Sequence, residues 1–224
     1  MKSVVLDARL RAVAEMVGRC RQIADIGCDH GRLCAFLLQK GWIERAILTD
    51  ISADSLNKAQ RLIQLTGLRS QAEYQVCDGL EALPEAPDAV VIAGMGGDTV
   101  SGILERGLSK VFGARLVLQA NVGKPALRRA VTRLGYAFTR ERIALCNGRC
   151  YVIMEAVPGT QALTEEETLV GPILLREHPP ELEALTRFHL RVARKALMGA
   201  QKGGDAAQAE ALKREIAIWE ALEA

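Results

Sequence analysis

The feature that most constrains this chain is an alternation. Short apolar runs that close on a glycine or an acid are separated by segments with helical spacing. The runs are Ile23-Ala24-Asp25-Ile26-Gly27, Arg45 to Asp50, a weaker Glu73-Tyr74-Gln75-Val76, Asp88 to Ala93, and Arg115 to Gln119. Between them, residues 32–40 turn Leu33, Phe36 and Leu37 to one side. Residues 53–66 form a helix that Ser52 or Asp54 can cap and Gly67 can close. A helix over 98–106 follows, and another opens at Pro125 and closes at Gly135. Leu6, Leu10, Val13 and Val17 mark a leading helix over 6–17. Strands alternating with helices imply an α/β fold with a parallel sheet covered on both faces. Two last strands, near 136–143 and 149–156, flank Asn147-Gly148, a hairpin-turn pair that would add an antiparallel edge.

The pattern changes after Pro158-Gly159. Residues 181–200 and 205–223 read as two helices around Gly203-Gly204, an antiparallel helical hairpin. The division is therefore a Rossmann-like unit over 1–160 and a hairpin over 161–224. Of the 224 residues, 49% are hydrophobic and 25% charged, enough for a substantial core. No apolar run is long enough to span a bilayer, and Arg9 and Arg11 interrupt any leader-like stretch, so a cytoplasmic protein without membrane contact is expected. The six cysteines form no CxxC pair. Cys146-x3-Cys150 lacks a second ligand pair, so no metal is expected.

The chemistry concentrates at the strand ends. Gly27 and Gly31 stand as GxxxG with Asp25 and Asp29 beside them, and GxGxxG is absent. Glycine allows close approach of backbone to a ligand. A pyrophosphate would be repelled by these acids, whereas S-adenosylmethionine, with a cationic amino-acid end, suits them. Asp50, with Ile51 beside it, lies 23 residues beyond Gly27, where an acid can accept from ribose hydroxyls. Asp78-Gly79 follows the third strand and can accept from an adenine amino group. Gly94-Met95 follows the fourth, where methyl donor and acceptor should meet. His30 is either a cofactor contact or a helix-start residue.

Together these residues resemble the TrmK family of bacterial tRNA adenine N1-methyltransferases, which act at position 22. The resemblance is carried by Arg9-Leu10, Asp25-Ile26-Gly27-Cys28-Asp29-His30, Asp78-Gly79-Leu80, Ile92-Ala93-Gly94-Met95-Gly96-Gly97, Gln119-Ala120-Asn121-Val122-Gly123 and Gly171-Pro172. Cys28 and Ala120 depart from the family's usual small residue and proline. The resemblance implies a class I methyltransferase domain with a C-terminal, coiled-coil-like hairpin, S-adenosylmethionine as donor and tRNA as substrate. The hairpin is then a tRNA-binding or interaction module.

The fourth strand end carries no Asp/Asn-Pro-Pro-aromatic element of the kind used for amino groups. N1 of adenine needs none, because its in-plane lone pair can attack without deprotonation. Positioning then dominates. Asp29 is expected to stabilise the cationic product or to hold the donor's amino end, and Asn121 to orient the base or to serve only as a turn residue. The base must leave its stack to react.

Net charge is only +2, but residues 101–150 carry ten basic and two acidic residues. Lys124, Arg128, Arg129, Arg133, Arg140, Arg142 and Arg149 read as a phosphate track or as a solvated face. Arg187, Arg191, Arg194 and Lys195 on the first hairpin helix could extend it; otherwise that surface is a coiled-coil or dimer contact. A monomer or weak dimer is expected. The competing readings are a methyltransferase of small molecules or proteins, an RNA-binding module without activity, and, least favoured, a nicotinamide enzyme.

Overall fold

The computed structural model describes residues 3–223 apart from 82, 84 and 85. Met1 and Lys2, at the start of the leader-like stretch, and Ala224 lie outside the described residues. The chain runs α1 (Ala8–Val17), β1 (Gln22–Ile26), α2 (Arg32–Gln39), β2 (Arg45–Asp50), α3 (Ala53–Thr66), β3 (Ala72–Val76), β4 (Ala89–Met95), α4 (Gly97–Gly107), β5 (Arg115–Ala120), α5 (Lys124–Arg133), β6 (Tyr136–Cys146) and β7 (Arg149–Pro158). It ends with α6 (Glu165–Leu169), α7 (Pro172–Glu177), α8 (Leu182–Gly203) and α9 (Ala206–Glu220). Local chemistry explains the boundaries. Ser52 caps α3 by accepting from the Ser55 N–H, and Gly67 closes it in the left-handed region at φ 80°.

Among the described residues, seven strands form one sheet in the order β3-β2-β1-β4-β5-β7-β6. β1 to β5 are mutually parallel where they pair, and β7 runs antiparallel to both β5 and β6. Asn147 and Gly148, both at positive φ, turn β7 back. The returning strand, not the outgoing one, pairs with β5, so β6 is the edge at that end of the sheet.

The core has two sides. Val13 and Val17 of α1, Leu37 of α2 and Ile63 of α3 pack in one cluster. Leu104 of α4, Leu127 and Val131 of α5, and Leu182, Leu185 and Trp219 of the hairpin share the other. The root of the hairpin is thus continuous with the core of the sheet.

The short helices α6 and α7 are not anticipated by periodicity, and a buried ion pair joins them. All five Arg128 N–H groups are used. They reach Glu141 Oε1 twice, at 3.0 and 2.9 Å, and the carbonyls of Thr168, Leu169 and Val170 at 2.9–3.0 Å. Glu141 Oε2 accepts from the N–H groups of Ile173 and Leu174. One side chain therefore satisfies the carbonyl end of α6, and the other the N–H end of α7. Gly171 sits between them at φ 130°, where a Cβ would overlap Glu141.

Among the described residues, no helix is long and apolar enough to cross a membrane. Among them, too, no group of three or more His, Cys, Asp or Glu is placed to hold a metal ion.

Candidate active site

Strand order reverses between β1 and β4, which opens a crevice at their carboxyl ends. The loop after β1 is unusual. Gly27, Asp29 and Gly31 have φ of 69°, 51° and 63°, a region that L-residues other than glycine seldom adopt. A Cβ on Gly27 would overlap the Met95 side chain, and one on Gly31 would lie 2.7 Å from Ala59 Cβ. Glycine is therefore required at Gly31 and favoured at Gly27, where its positive φ suits glycine and only the flexible end of Met95 would have to move, and the loop is pressed against β4 and α3.

Arg9, Asp25, Gly27, Asp29, His30 and Ala93 line a narrow recess of about 80 Å³ here. Asp25 is buried, and Cys34 Sγ donates to its Oδ2 at 3.4 Å. Burial pushes the Asp25 carboxyl up to about 6; the Cys34 bond opposes the rise and Asp50 adds to it. An ionised Asp25 there calls for a cation. Asp50 accepts from the Asp29 N–H at 3.1 Å and the Ser52 N–H at 2.9 Å, which fixes its carboxylate at the end of β2. Asp29 holds His30 Nδ1 at 2.7 Å, and both side chains are well exposed. Ile51 is 76% exposed beside Asp50. Asp78 pairs with Arg106 at 3.1 Å after β3. Gly79, at φ 79°, lies against Ile103. A larger depression of about 650 Å³ lies on the outer side of the Asp29–His30 turn, against Lys58 and Leu62. It shares Asp29 and His30 with the recess but includes no strand-end glycine.

A second cavity, of about 570 Å³, opens on the other side of Arg9, beside Gly94 and Asn121. Arg9 Nη1 donates to Gln119 Oε1 at 2.8 Å, Gln119 Nε2 to Asn121 Oδ1 at 3.0 Å, and Asn121 Nδ2 to the Gly94 carbonyl at 2.8 Å. A guanidinium can only donate and a carbonyl can only accept, so both amide orientations are fixed. Asn121 keeps a second N–H for a ligand. Gly94 has φ 86°, and a Cβ there would meet Arg9 at 3.3 Å. Gly97 packs on the Gly123 backbone so closely that a Cβ would overlap it. These contacts explain Gly94 and Gly97; a Cβ on Gly96 would make only ordinary contacts.

Of the basic stretch, only Lys124 and Arg149 line this cavity. Burial lowers the Lys124 pKa, and Arg128 adds to the effect. Arg128 is 0% exposed and fully engaged, so it is not a phosphate contact. Arg133 pairs with Glu105 at the far end of α5. Arg140 binds Glu155 and the Met16 carbonyl, and Arg142 pairs with Glu15. Met16 and Glu15 lie at the end of α1 remote from Arg9, so Arg140 and Arg142 face away from the crevice. Arg129 is exposed midway along α5. The expectation is therefore corrected at Arg128, which is sealed; Arg133, Arg140 and Arg142 are exposed, ion-paired and outside this cavity. Arg9, Tyr151 and Phe188 line it, and sequence reasoning assigned them no role there. Arg9-Leu10, part of the family resemblance, is the signal that points to Arg9, though without a role.

Glycines and acids at successive strand ends, with a narrow recess opening beside a larger cavity where the strand order reverses, are the arrangement of a methyltransferase catalytic domain. A family model described as a methyltransferase domain matches residues 6–154. The tRNA (adenine(22)-N(1))-methyltransferase of Bacillus subtilis is 33% identical over 185 residues, covering 79% of this chain and 78% of that protein. The crystal structure of the B. subtilis m1A22 tRNA methyltransferase TrmK superposes with a TM-score of 0.88 at 26% identity, covering 98% of this chain and 99% of that one. A Streptococcus pneumoniae putative tRNA (m1A22) methyltransferase in complex with S-adenosyl-L-methionine gives 0.84 at 26% identity, covering 97% and 99%. The chain belongs to the family of tRNA (adenine(22)-N(1))-methyltransferases.

Proposed function

We propose that this protein transfers a methyl group from S-adenosylmethionine to N1 of adenine at position 22 of tRNA, in the cytoplasm. The observation that carries this reading is the adjacency of recess and cavity across Arg9, with the Asn121 amide held in one orientation between Gln119 and Gly94. The relatives' activities point the same way.

The recess is of a size for one part of the donor, its amino-acid end. Asp25 and Asp29 suit its cationic end, and Asp50 suits the ribose hydroxyls. Bound there, S-adenosylmethionine supplies an electrophilic methyl group on a sulfonium. The chain's own residues then have one main task, to aim N1. Asn121 can give its second N–H to a ring acceptor other than N1, which leaves the N1 lone pair in line. Such alignment can contribute roughly 7–11 kcal/mol. Asp29 lies on the donor side rather than in the acceptor cavity, which favours its role toward the donor's amino end.

Labelled S-adenosylmethionine with an unmodified tRNA transcript, followed by nucleoside analysis, tests the reading. N1-methyladenosine that disappears when adenine 22 is replaced is the expected product. Cofactor binding without labelled RNA would move the assignment to a small-molecule or protein substrate.

A further inference from the structure

The acceptor cavity is composite. Asn121 and Lys124 come from the loop after β5, Arg149 and Tyr151 from β7, and Phe188 from α8 of the C-terminal hairpin. Its volume of about 570 Å³ lies within the ordinary range for a small-ligand pocket, ~300–1,000 Å³. Two aromatic rings, three cations and an amide face it, and among the described lining residues there is no carboxylate. That lining suits a planar base with attached phosphates. It does not suit a lysine or other amine acceptor, which would call for acids.

Both rings are mounted rather than loose. The Arg9 guanidinium carbon lies 5.7 Å from the centroid of the Tyr151 ring. The Arg191 guanidinium carbon lies 5.7 Å from that of Phe188. Phe188 also meets His189 edge-on, with centroids 5.4 Å apart, and His189 stacks on Trp219 at 4.5 Å and 7°. Trp219 belongs to α9 and is 1% exposed. The two hairpin helices thus hold the Phe188 ring at the mouth of the catalytic cavity. Unstacked bases are recognised by stacking on aromatic faces, at about 1–3 kcal/mol per base.

We propose that this cavity receives the extruded purine nucleotide, with Phe188 of the hairpin as one stacking wall and Tyr151 as the other, and with Lys124 and Arg149 beside its phosphates. This rests on the RNA reading above. The hairpin is then part of the substrate pocket as well as an appendage of the fold.

The test is steady-state methyl transfer to an unmodified tRNA transcript, with Kd for S-adenosylmethionine and for tRNA measured separately. Phe188→Ala should lower kcat/KM by roughly tenfold to a hundredfold. Cofactor affinity should be unchanged, and tRNA affinity should change by less than about threefold, since phosphate contacts dominate it. Phe188→Tyr and Phe188→Trp should restore turnover, whereas Phe188→Leu, which keeps apolar bulk without a stacking face, should not. If Phe188→Leu matches the wild type, or Phe188→Ala loses nothing, the proposal is overturned. If the wild-type protein itself labels no RNA, the RNA reading fails instead, and the two failures are distinguishable.

Discussion

Lys124 and Arg128 lie one turn apart on the same helix and have opposite fates. Lys124 lines the cavity at the carboxyl ends of the strands. Arg128 is sealed beneath the connection to the hairpin, with every N–H paired. The contrast extends to the regions they represent. At the crevice, polar groups are half-satisfied and face a space: Asn121 retains an N–H, and the buried Asp25 carboxyl accepts from the Cys34 thiol at the edge of the recess. At the junction, ionic groups are fully satisfied by one another and by helix termini. Charge at the crevice is arranged for a ligand, and charge at the junction is arranged for the fold.

The largest expected effect breaks the junction. Arg128→Met should cost about 3–5 kcal/mol in urea unfolding, because it leaves the Glu141 carboxylate buried and uncompensated. Adding Glu141→Leu should recover part of that loss. A single-variant loss below about 1 kcal/mol would show that the pair does not organise α6 and α7.

Next comes Asp25→Asn at the crevice. The folded carboxyl titrates at about 6 and the unfolded one near its usual 3.8. The folded state holds the proton more tightly, so the stability linked to this group is present below about pH 4 and is lost as pH rises to 6. The asparagine should therefore stabilise the ligand-free protein by about 2–3 kcal/mol at pH 8 and by almost nothing at pH 4. It should weaken S-adenosylmethionine binding in calorimetry. Gains in both stability and affinity would contradict the cationic-ligand role.

Asn121→Ala should lower kcat/KM by roughly tenfold to a hundredfold, with cofactor affinity and unfolding midpoint nearly unchanged. A proportional loss of cofactor affinity would place Asn121 on the donor side. The smallest effect should come from Arg142→Gln. It removes an exposed pair with Glu15, worth about 0–1 kcal/mol, and should leave tRNA affinity within about twofold in a filter-binding titration.

The sheet and the hairpin were legible because they are written in periodicity. Each parallel strand is a short apolar run, and Ser52, Gly67, Pro125 and Asn147-Gly148 punctuate the chain where the elements begin and end. The strand-end glycines and acids were legible for the same reason: they fall where the pattern stops. The helices α6 and α7, of five and six residues, are too short to show a period. Thr164 and Glu167 do form a capping box there, a local signal that a search by periodicity passes over. The fate of the basic stretch was hidden by a register shift. A bulge between Phe138 and Arg140 changes the phase of β6, so that Glu141 turns inward and Arg140 outward. With that shift, Arg128 acquires a buried partner that simple alternation would not place. Tyr151 and Phe188 meet the crevice only through the docking of β7 and α8, which no local pattern encodes.

The most direct test of the contrast is hydrogen–deuterium exchange of the protein with S-adenosylhomocysteine, with and without unmodified tRNA. Protection on adding tRNA should fall on residues 119–124, 148–152 and 187–191, around the crevice and its aromatic walls. Protection concentrated instead on residues 128–142, with the crevice segments unchanged, would contradict it and restore the basic face as the RNA-binding surface.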